Sequence, residues 1–97
     1  MKHLELNKLI LIGASTGGPS HIQQILKSLP HEFDATIVIA QHMGYEFISS
    51  FTKQLNGVCN IDVEEASCGT LLCNSKIYVC SQTTKIILKN SQYLFEK

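Results

Sequence analysis

A serine set among glycines and a histidine further along the chain are the side chains of this sequence best suited to chemistry. Ser15 lies in Gly13-Ala14-Ser15-Thr16-Gly17, which satisfies the G-x-S-x-G pattern of a nucleophile elbow. In such an elbow a sharp turn lifts the hydroxyl clear of the sheet, and the flanking glycines permit the tight backbone. His42 offers an imidazole that could take the proton from that hydroxyl. Together they would carry out acyl transfer.

The elements around these residues are predicted to bring them together. Residues 8–12 contain the continuous apolar run Leu9–Ile12, typical of a strand covered on both faces, and residues 35–40 form a second run, rich in β-branched residues. Between them a helix is predicted to begin at Pro19, with one apolar face, and to stop at Pro30. A right-handed crossover places both strand ends at one edge of the sheet, and neighbouring strands lie about 4.8 Å apart. Ser15 and His42 are therefore expected within hydrogen-bond reach. The apolar face of the helix predicted between Pro19 and Pro30 comprises Ile22, Ile25, Leu26 and Leu29.

The rest of the chain predicts an α/β fold with a largely parallel sheet and flanking helices, of the doubly wound type, followed by a β-hairpin region. A second amphipathic helix ends at an Asn56-Gly57 C-cap signal, and residues 59–63 alternate like a third strand. The apolar residues of this second helix are Phe47, Ile48, Phe51 and Leu55. Three further strand-like pieces, expected as antiparallel hairpins, are residues 76–80, 84–89 and 93–95.

Two other interpretations of the Gly13–Gly18 loop remain open from the local sequence. Its backbone amides could hold a phosphate or nucleotide at the helix N-terminus, with Ser15 or Thr16 as an accessory ligand. Neither G-x-G-x-x-G nor a Walker Gly-Lys-Ser/Thr is present, which weakens that hypothesis. The loop could also be a tight turn without chemistry, and His42 alone could be a structural residue.

Composition excludes several classes of function. The net charge is zero and there is no arginine, which argues against a nucleic-acid partner. No apolar run approaches the roughly 20 residues that span a bilayer, and no signal peptide is visible, so a cytoplasmic protein without membrane insertion is expected. The four cysteines contain no C-x-x-C pair, which predicts small buried or half-buried hydrophobes and no metal. No cofactor is expected.

Residues 12–19 together with Gln41-His42-Met43 look like the catalytic domain of the CheB-type chemotaxis protein-glutamate methylesterases. The resemblance implies that Ser15 attacks the methyl ester of a receptor glutamate while His42 takes its proton. It also implies that Gly13, Thr16, Gly17 and Met43 line the site. The partners would be the cytoplasmic helices of methyl-accepting chemotaxis receptors, in which particular glutamines could also be deamidated.

The resemblance covers only the first part of that catalytic domain. The family's triad aspartate comes from a later strand, so residues 1–97 are expected to be the N-terminal part of the domain, with no receiver domain and with weak activity alone. Asp34 begins the second strand and is expected at the wrong end of the sheet to orient His42. Glu46, Glu64 and Glu65 are expected to be solvated rather than to replace that acid. Gly44 stands where the family usually has proline.

Overall fold

The computed structural model describes residues 8–14, 19–41, 44–81 and 84–96. Its helices are α1 (Pro19–Leu26) and α2 (Tyr45–Val58). Its strands are β1 (Leu9–Ala14), β2 (Thr36–Gln41), β3 (Val63–Glu65), β4 (Lys76–Cys80), β5 (Lys85–Lys89) and β6 (Gln92–Glu96).

Four of these strands form one parallel sheet, in the order β1-β2-β4-β3, and β5 and β6 form an antiparallel hairpin. The predicted fold class is thereby confirmed. The prediction that β4 belongs to an antiparallel hairpin is wrong, because β4 lies between β2 and β3 and runs parallel to both. Its central residues Ile77, Tyr78 and Val79 are fully buried, as expected of a parallel strand covered on both faces.

The sheet separates two hydrophobic clusters. Both helices pack on one face, where Ile37 and Ile39 of β2 point, whereas Val38 of the same strand points to the other face. Because successive residues point to opposite faces, a strand covered on both sides has an unbroken apolar centre, as β2 has at residues 37–40. On the hairpin side the buried residues are Val38, Leu72, Tyr78, Cys80 and Phe95.

The prediction that residues 8–12 form a strand is confirmed, but the prediction that both faces of this strand are covered is wrong. The strand exists, as Leu9–Ala14, but it is an edge of the described sheet and pairs only with β2. As a result Leu11 is 66% exposed, and Ile10 is also exposed.

Each predicted apolar helix face contains one residue that the structure exposes. In α1, Ile22 and Leu26 enter the core while Ile25 stays exposed; in α2, Phe47 in the first turn is exposed. Residues four apart stack over one another on a helix, so Ile22 and Leu26 define the buried line and Ile25 falls on its flank. The periodicity located both helices but made their buried faces too wide. Helix α1 also ends at Leu26, before Leu29 and the predicted stop at Pro30.

The predicted C-cap at Asn56-Gly57 and the predicted strand at residues 59–63 are both wrong. Helix α2 continues to Val58, and Cys59 caps it in an extended conformation. The Asn56 Oδ1 instead accepts the backbone N–H of Val63 at 3.0 Å, which joins the last turn of the helix to the start of β3. The Asn60 side chain donates to the Leu29 carbonyl at 3.1 Å. Residues 59–62 are therefore a connection, and β3 begins only at Val63.

Tyr78 anchors the hairpin side of the sheet. Its hydroxyl accepts the backbone N–H of Cys73 at 2.8 Å and donates to the Leu71 carbonyl at 3.3 Å. Its ring meets the Phe95 ring edge-on, with the centroids 5.1 Å apart. The buried phenol is thus satisfied at its polar end and packed along its apolar body.

This environment predicts alkaline destabilisation that depends on Tyr78. Burial raises the pKa of Tyr78 above its ordinary value of 10.0. The unfolded phenol therefore ionises first. The contribution of Tyr78 to the free energy of unfolding is fully present below about pH 10 and is lost as the pH rises toward the higher pKa of the folded state, by roughly 1.4 kcal/mol per pH unit. In urea unfolding at several alkaline pH values, the free energy of unfolding of Tyr78→Phe is expected to fall less steeply with pH than that of the parent. An equally steep decline in the variant would contradict this assignment, since burial also raises the pKa of Cys59 and Cys80 and those thiols would then account for it.

Candidate active site

The ends of β1 and β2 lie side by side. Their parallel register runs from Leu9 opposite Thr36 to Ala14 opposite Gln41. Ala14 directly precedes Ser15, and Gln41 directly precedes His42. The two predicted catalytic positions thus follow paired residues of neighbouring strands, which lie about 4.8 Å apart.

Most of the predicted site falls outside the described residues. The site residues outside the described ranges are Ser15, His42, Thr16, Gly17 and Met43. Their side-chain positions therefore stay predictions. Gly13 is described, within β1. A Cβ added to Gly13 would meet no heavy atom within 4 Å, so packing in the described part of the chain does not require glycine there.

Both helices start from this edge of the sheet. Helix α1 begins at Pro19, a few residues after β1 ends, and α2 begins at Tyr45 after the N-cap residue Gly44. A helix N-terminus carries partial positive charge and unpaired N–H groups, which stabilise a negative charge that develops nearby. The edge therefore has electrostatics suited to an oxyanion.

The described carboxylates occupy several different places. Asp34 precedes β2 at the opposite end of the sheet from Gln41, as predicted, and its Oδ1 accepts from the Asn74 amide at 2.8 Å. Glu64 forms an ion pair with Lys76, and Glu46 is exposed in the first turn of α2. Glu65 ends β3, and β4 separates that strand from β2. None of these four stands on a strand adjacent to Gln41 at the same edge.

A cavity of about 530 Å³ opens at this edge, beside the ends of β3 and β4. Sequence reasoning missed it, because its walls come from segments far apart in the chain and no local pattern marks them. Burial raises the pKa of the Cys80 thiol, which keeps it protonated and a poor rival to a serine nucleophile. The cavity is lined by Ile48, Glu65, Ala66, Ser67, Cys68, Val79, Cys80, Ser81, Thr84 and Glu96.

The four cysteines are free thiols, of which Cys73 and Cys80 are buried, Cys59 is half-buried and Cys68 is exposed. The prediction of buried or half-buried positions therefore fails for Cys68, which lies in a turn before Gly69. Across the described ranges, no three His, Cys, Asp or Glu side chains gather as metal ligands would. None of the helices described has the length and apolar character needed to cross a bilayer.

Comparison with known proteins gives one consistent result. The sequence model of the CheB methylesterase family matches residues 10–97. The chain is 42% identical over 84 residues to protein-glutamate methylesterase/protein-glutamine glutaminase 1 of Oleidesulfovibrio alaskensis, covering 87% of this chain and 23% of the relative. It is 47% identical over 72 residues to the protein-glutamate methylesterase/protein-glutamine glutaminase of Lawsonia intracellularis, covering 74% of this chain and 20% of the relative.

A solved structure agrees with these relatives. The crystal structure of the Thermotoga maritima CheB methylesterase catalytic domain superposes with a TM-score of 0.86 at 31% identity. The match covers 92% of this chain but 48% of the solved domain. The chain thus spans about half of that catalytic domain and under a quarter of the two relatives described above.

Proposed function

Because the chain belongs to the CheB methylesterase family, we propose that it supplies the nucleophile and the general base of a protein-glutamate methylesterase. Ser15 is the nucleophile and His42 is the base. The observation that carries this proposal is the register of β1 and β2, in which the residues just before Ser15 and His42 are partners. A nucleophile and its base must lie within hydrogen-bond reach, and adjacent strand ends favour that arrangement.

The proposed reaction proceeds in two acyl-transfer steps. The Ser15 oxygen attacks the ester carbonyl of a methylated glutamate while His42 takes the hydroxyl proton. The tetrahedral intermediate collapses, His42 returns the proton to the departing methoxide, and methanol leaves an acyl-serine. Water then attacks that ester with His42 again as base, which frees the glutamate carboxylate and restores Ser15. A glutamine amide would follow the same course and release ammonia.

The surrounding residues have supporting parts in this proposal. The N-termini of α1 and α2 stabilise the oxyanion, and Gly13, Thr16, Gly17 and Met43 line the site. The acid that orients His42 comes from the part of the catalytic domain that this chain does not span. The positions of Asp34, Glu64 and Glu65 support this assignment, since none of them stands beside the end of β2, and Glu46, in the first turn of α2, is exposed.

The names of the relatives suggest the substrate class. They are protein-glutamate methylesterases and protein-glutamine glutaminases. We propose that the chain is the N-terminal part of the catalytic domain, and that its substrates are glutamate methyl esters and glutamines on the cytoplasmic helices of methyl-accepting chemotaxis receptors. This places its action in the cytoplasm.

A fluorophosphonate probe tests the catalytic assignment without a receptor, because it phosphorylates activated serines covalently. Labelling is expected at Ser15, as mapped by peptide mass spectrometry, and Ser15→Ala should abolish it. Ser50→Ala, at an exposed position of α2, is the matched control and should label normally. If inorganic phosphate raises the melting temperature while Ser15 stays unlabelled, the Gly13–Gly18 loop is a phosphate site and the hydrolase proposal fails.

A further inference from the structure

The cavity of about 530 Å³ beside the ends of β3 and β4, which we call the β4 cavity, has an apolar floor and a charged rim. Its floor includes Ile48, Val79 and Cys80, each of which is at most 6% exposed. Its rim carries the carboxylates of Glu65, which is half-buried, and of Glu96, which is exposed. A cavity of this size accommodates a small ligand or one long side chain of a partner.

The charge at the rim of the β4 cavity is negative. Among the described residues that line it there is no Lys, Arg or His. The ion pair on β3 joins Lys76 to Glu64, the residue before Glu65, and so leaves the Glu65 carboxylate to the cavity. Lys85 stands opposite Glu96 in the hairpin register, but it is exposed and does not line the cavity. The β4 cavity therefore favours a cation over an anion.

Backbone hydrogen bonds hold the walls of the β4 cavity in place. The Ala66 N–H donates to the Val79 carbonyl at 2.8 Å, directly after β3 ends. The Gly69 N–H donates to the Phe95 carbonyl at 2.8 Å, which ties the following turn to the residue before Glu96. A site whose walls are fixed before binding loses less conformational entropy when a ligand enters it.

The lining of the β4 cavity suits a lysine or arginine side chain better than a metal ion. A cation such as Ca²⁺ takes about six to eight oxygen ligands, and nowhere in the described part of the chain do three His, Cys, Asp or Glu side chains gather in that way. Lysine and arginine lay their methylene stems along apolar surface and keep their charged heads at a polar rim. The apolar floor and the two carboxylates match the two parts of such a side chain.

The position of the β4 cavity relates it to the proposed nucleophile. Ala40, one residue before Gln41, is the register partner of both Gly13 and Cys80. Strands β1 and β4 therefore end level with each other, two strand spacings or about 10 Å apart. In an α-helix, side chains seven residues apart share one face at a separation of about 10.5 Å. A helical substrate with its glutamate at Ser15 thus brings a second side chain, two turns away, to the cavity.

We propose that the β4 cavity is a substrate subsite for a lysine or arginine side chain seven residues from the glutamate that Ser15 attacks. The stem of that side chain lies on the apolar floor, and its charged head meets the carboxylates of Glu65 and Glu96. The inference rests on the proposed function, because it takes the helical substrate from there. It adds a selection rule, in which helices with a basic residue at this spacing are preferred over helices without one.

The first measurement compares helical peptides that differ at one position. Each carries a central glutamine and, seven residues before or after it, lysine, norleucine or glutamate; norleucine keeps the apolar stem and lacks the charge. In NMR titrations of the 97-residue chain, a lysine peptide is expected to bind roughly five- to tenfold more tightly than its norleucine counterpart, and this preference should shrink at about 1 M NaCl. Equal binding of the lysine and norleucine peptides at both positions, including no detectable binding of either, would overturn the proposal.

The second measurement removes the rim charges one at a time. Glu65→Gln and Glu96→Gln are each expected to weaken the lysine peptide by about two- to threefold, and together they should abolish its advantage over norleucine. Glu32→Gln is the matched control, since Glu32 is exposed before β2 at the other end of the sheet. The same affinity for the test variants and the control would contradict the proposal.

Alkylation of Cys68 locates the bound side chain. Cys68 is exposed and lines the β4 cavity. Because access governs the reaction of a thiol, a saturating lysine peptide is expected to slow iodoacetamide alkylation of Cys68 at least about threefold. An unchanged rate at saturation would mean that the peptide binds elsewhere, against the proposal.

Fluorophosphonate labelling separates this inference from the catalytic assignment. The probe has no basic side chain, so the variant with both Glu65→Gln and Glu96→Gln is expected to be labelled at Ser15 as fast as the parent. Labelling at Ser15 without any preference for lysine peptides would refute the subsite alone. A preference for lysine peptides without labelling at Ser15 would refute the catalytic assignment alone.

Discussion

Replacing His42 by glutamine is expected to slow fluorophosphonate labelling of Ser15 by about 10²- to 10⁴-fold. A positioned general base contributes a factor of that size, and a neutral amide cannot take the serine proton. The measurement is the rate constant of labelling under pseudo-first-order conditions. Glutamine keeps a polar side chain of similar length, so the decrease in the labelling rate constant reports on proton transfer more than on packing.

The matched control for this prediction is His31→Gln. His31 is exposed in the turn that follows α1 and precedes β2, at the end of the sheet away from Gln41. Its replacement is expected to leave the labelling rate within about twofold of the parent. Equal rates for His42→Gln and the parent would mean that Ser15 is activated by another group or not activated at all.

Replacing Phe95 by alanine is expected to destabilise the chain by about 3–5 kcal/mol, a large share of the stability of a domain this small. Phe95 is fully buried in the hairpin-side cluster, and its ring contacts Tyr78 edge-on. Its backbone also holds the hairpin to residues 69–70, since its N–H donates to the Thr70 carbonyl and its carbonyl accepts from Gly69. A cavity at this position removes the packing that fixes the hairpin on the sheet.

Urea unfolding followed by circular dichroism measures this effect, with Tyr93→Ala as the control. Tyr93 lies two residues earlier on β6 and is partly exposed, so its loss is expected to cost about 1 kcal/mol or less. A cost for Phe95→Ala as small as that for Tyr93→Ala would show that the hairpin contributes little to the core.

The parts of the fold predicted well are those with a single strong local pattern. Residues 35–40 are rich in β-branched residues and mostly apolar, and the strand they form is buried on both faces. Both helices exist where the apolar periodicity predicts them, because residues four apart share a face, although α1 ends at Leu26 and not at Pro30. The family resemblance, carried by residues 12–19 and 41–43, is confirmed by the match over residues 10–97.

The errors arise where the outcome depends on distant partners. Residues 76–80 have the same local pattern in a hairpin as in a parallel sheet. The crossover through α2 leads to β3, and the connection through residues 66–75 then inserts β4 between β2 and β3. Asn56-Gly57 is a residue pair typical of a helix C-cap, but the Asn56 side chain instead accepts a hydrogen bond from the backbone N–H of Val63. The burial of Leu11 and the walls of the cavity beside β4 depend on segments that no local window contains.

Local motifs and the family resemblance predict Ser15 and His42 as the catalytic pair, and the structure adds the register of the strands that precede them. The most direct test of their pairing is a crystal structure of the chain carrying a fluorophosphonate adduct. We expect the phosphorus on the Ser15 oxygen, with an imidazole nitrogen of His42 at roughly 2.6–3.2 Å from that oxygen or joined to it through one water. An adduct on another residue, or an imidazole directed away from Ser15 beyond such a bridge, would contradict the account.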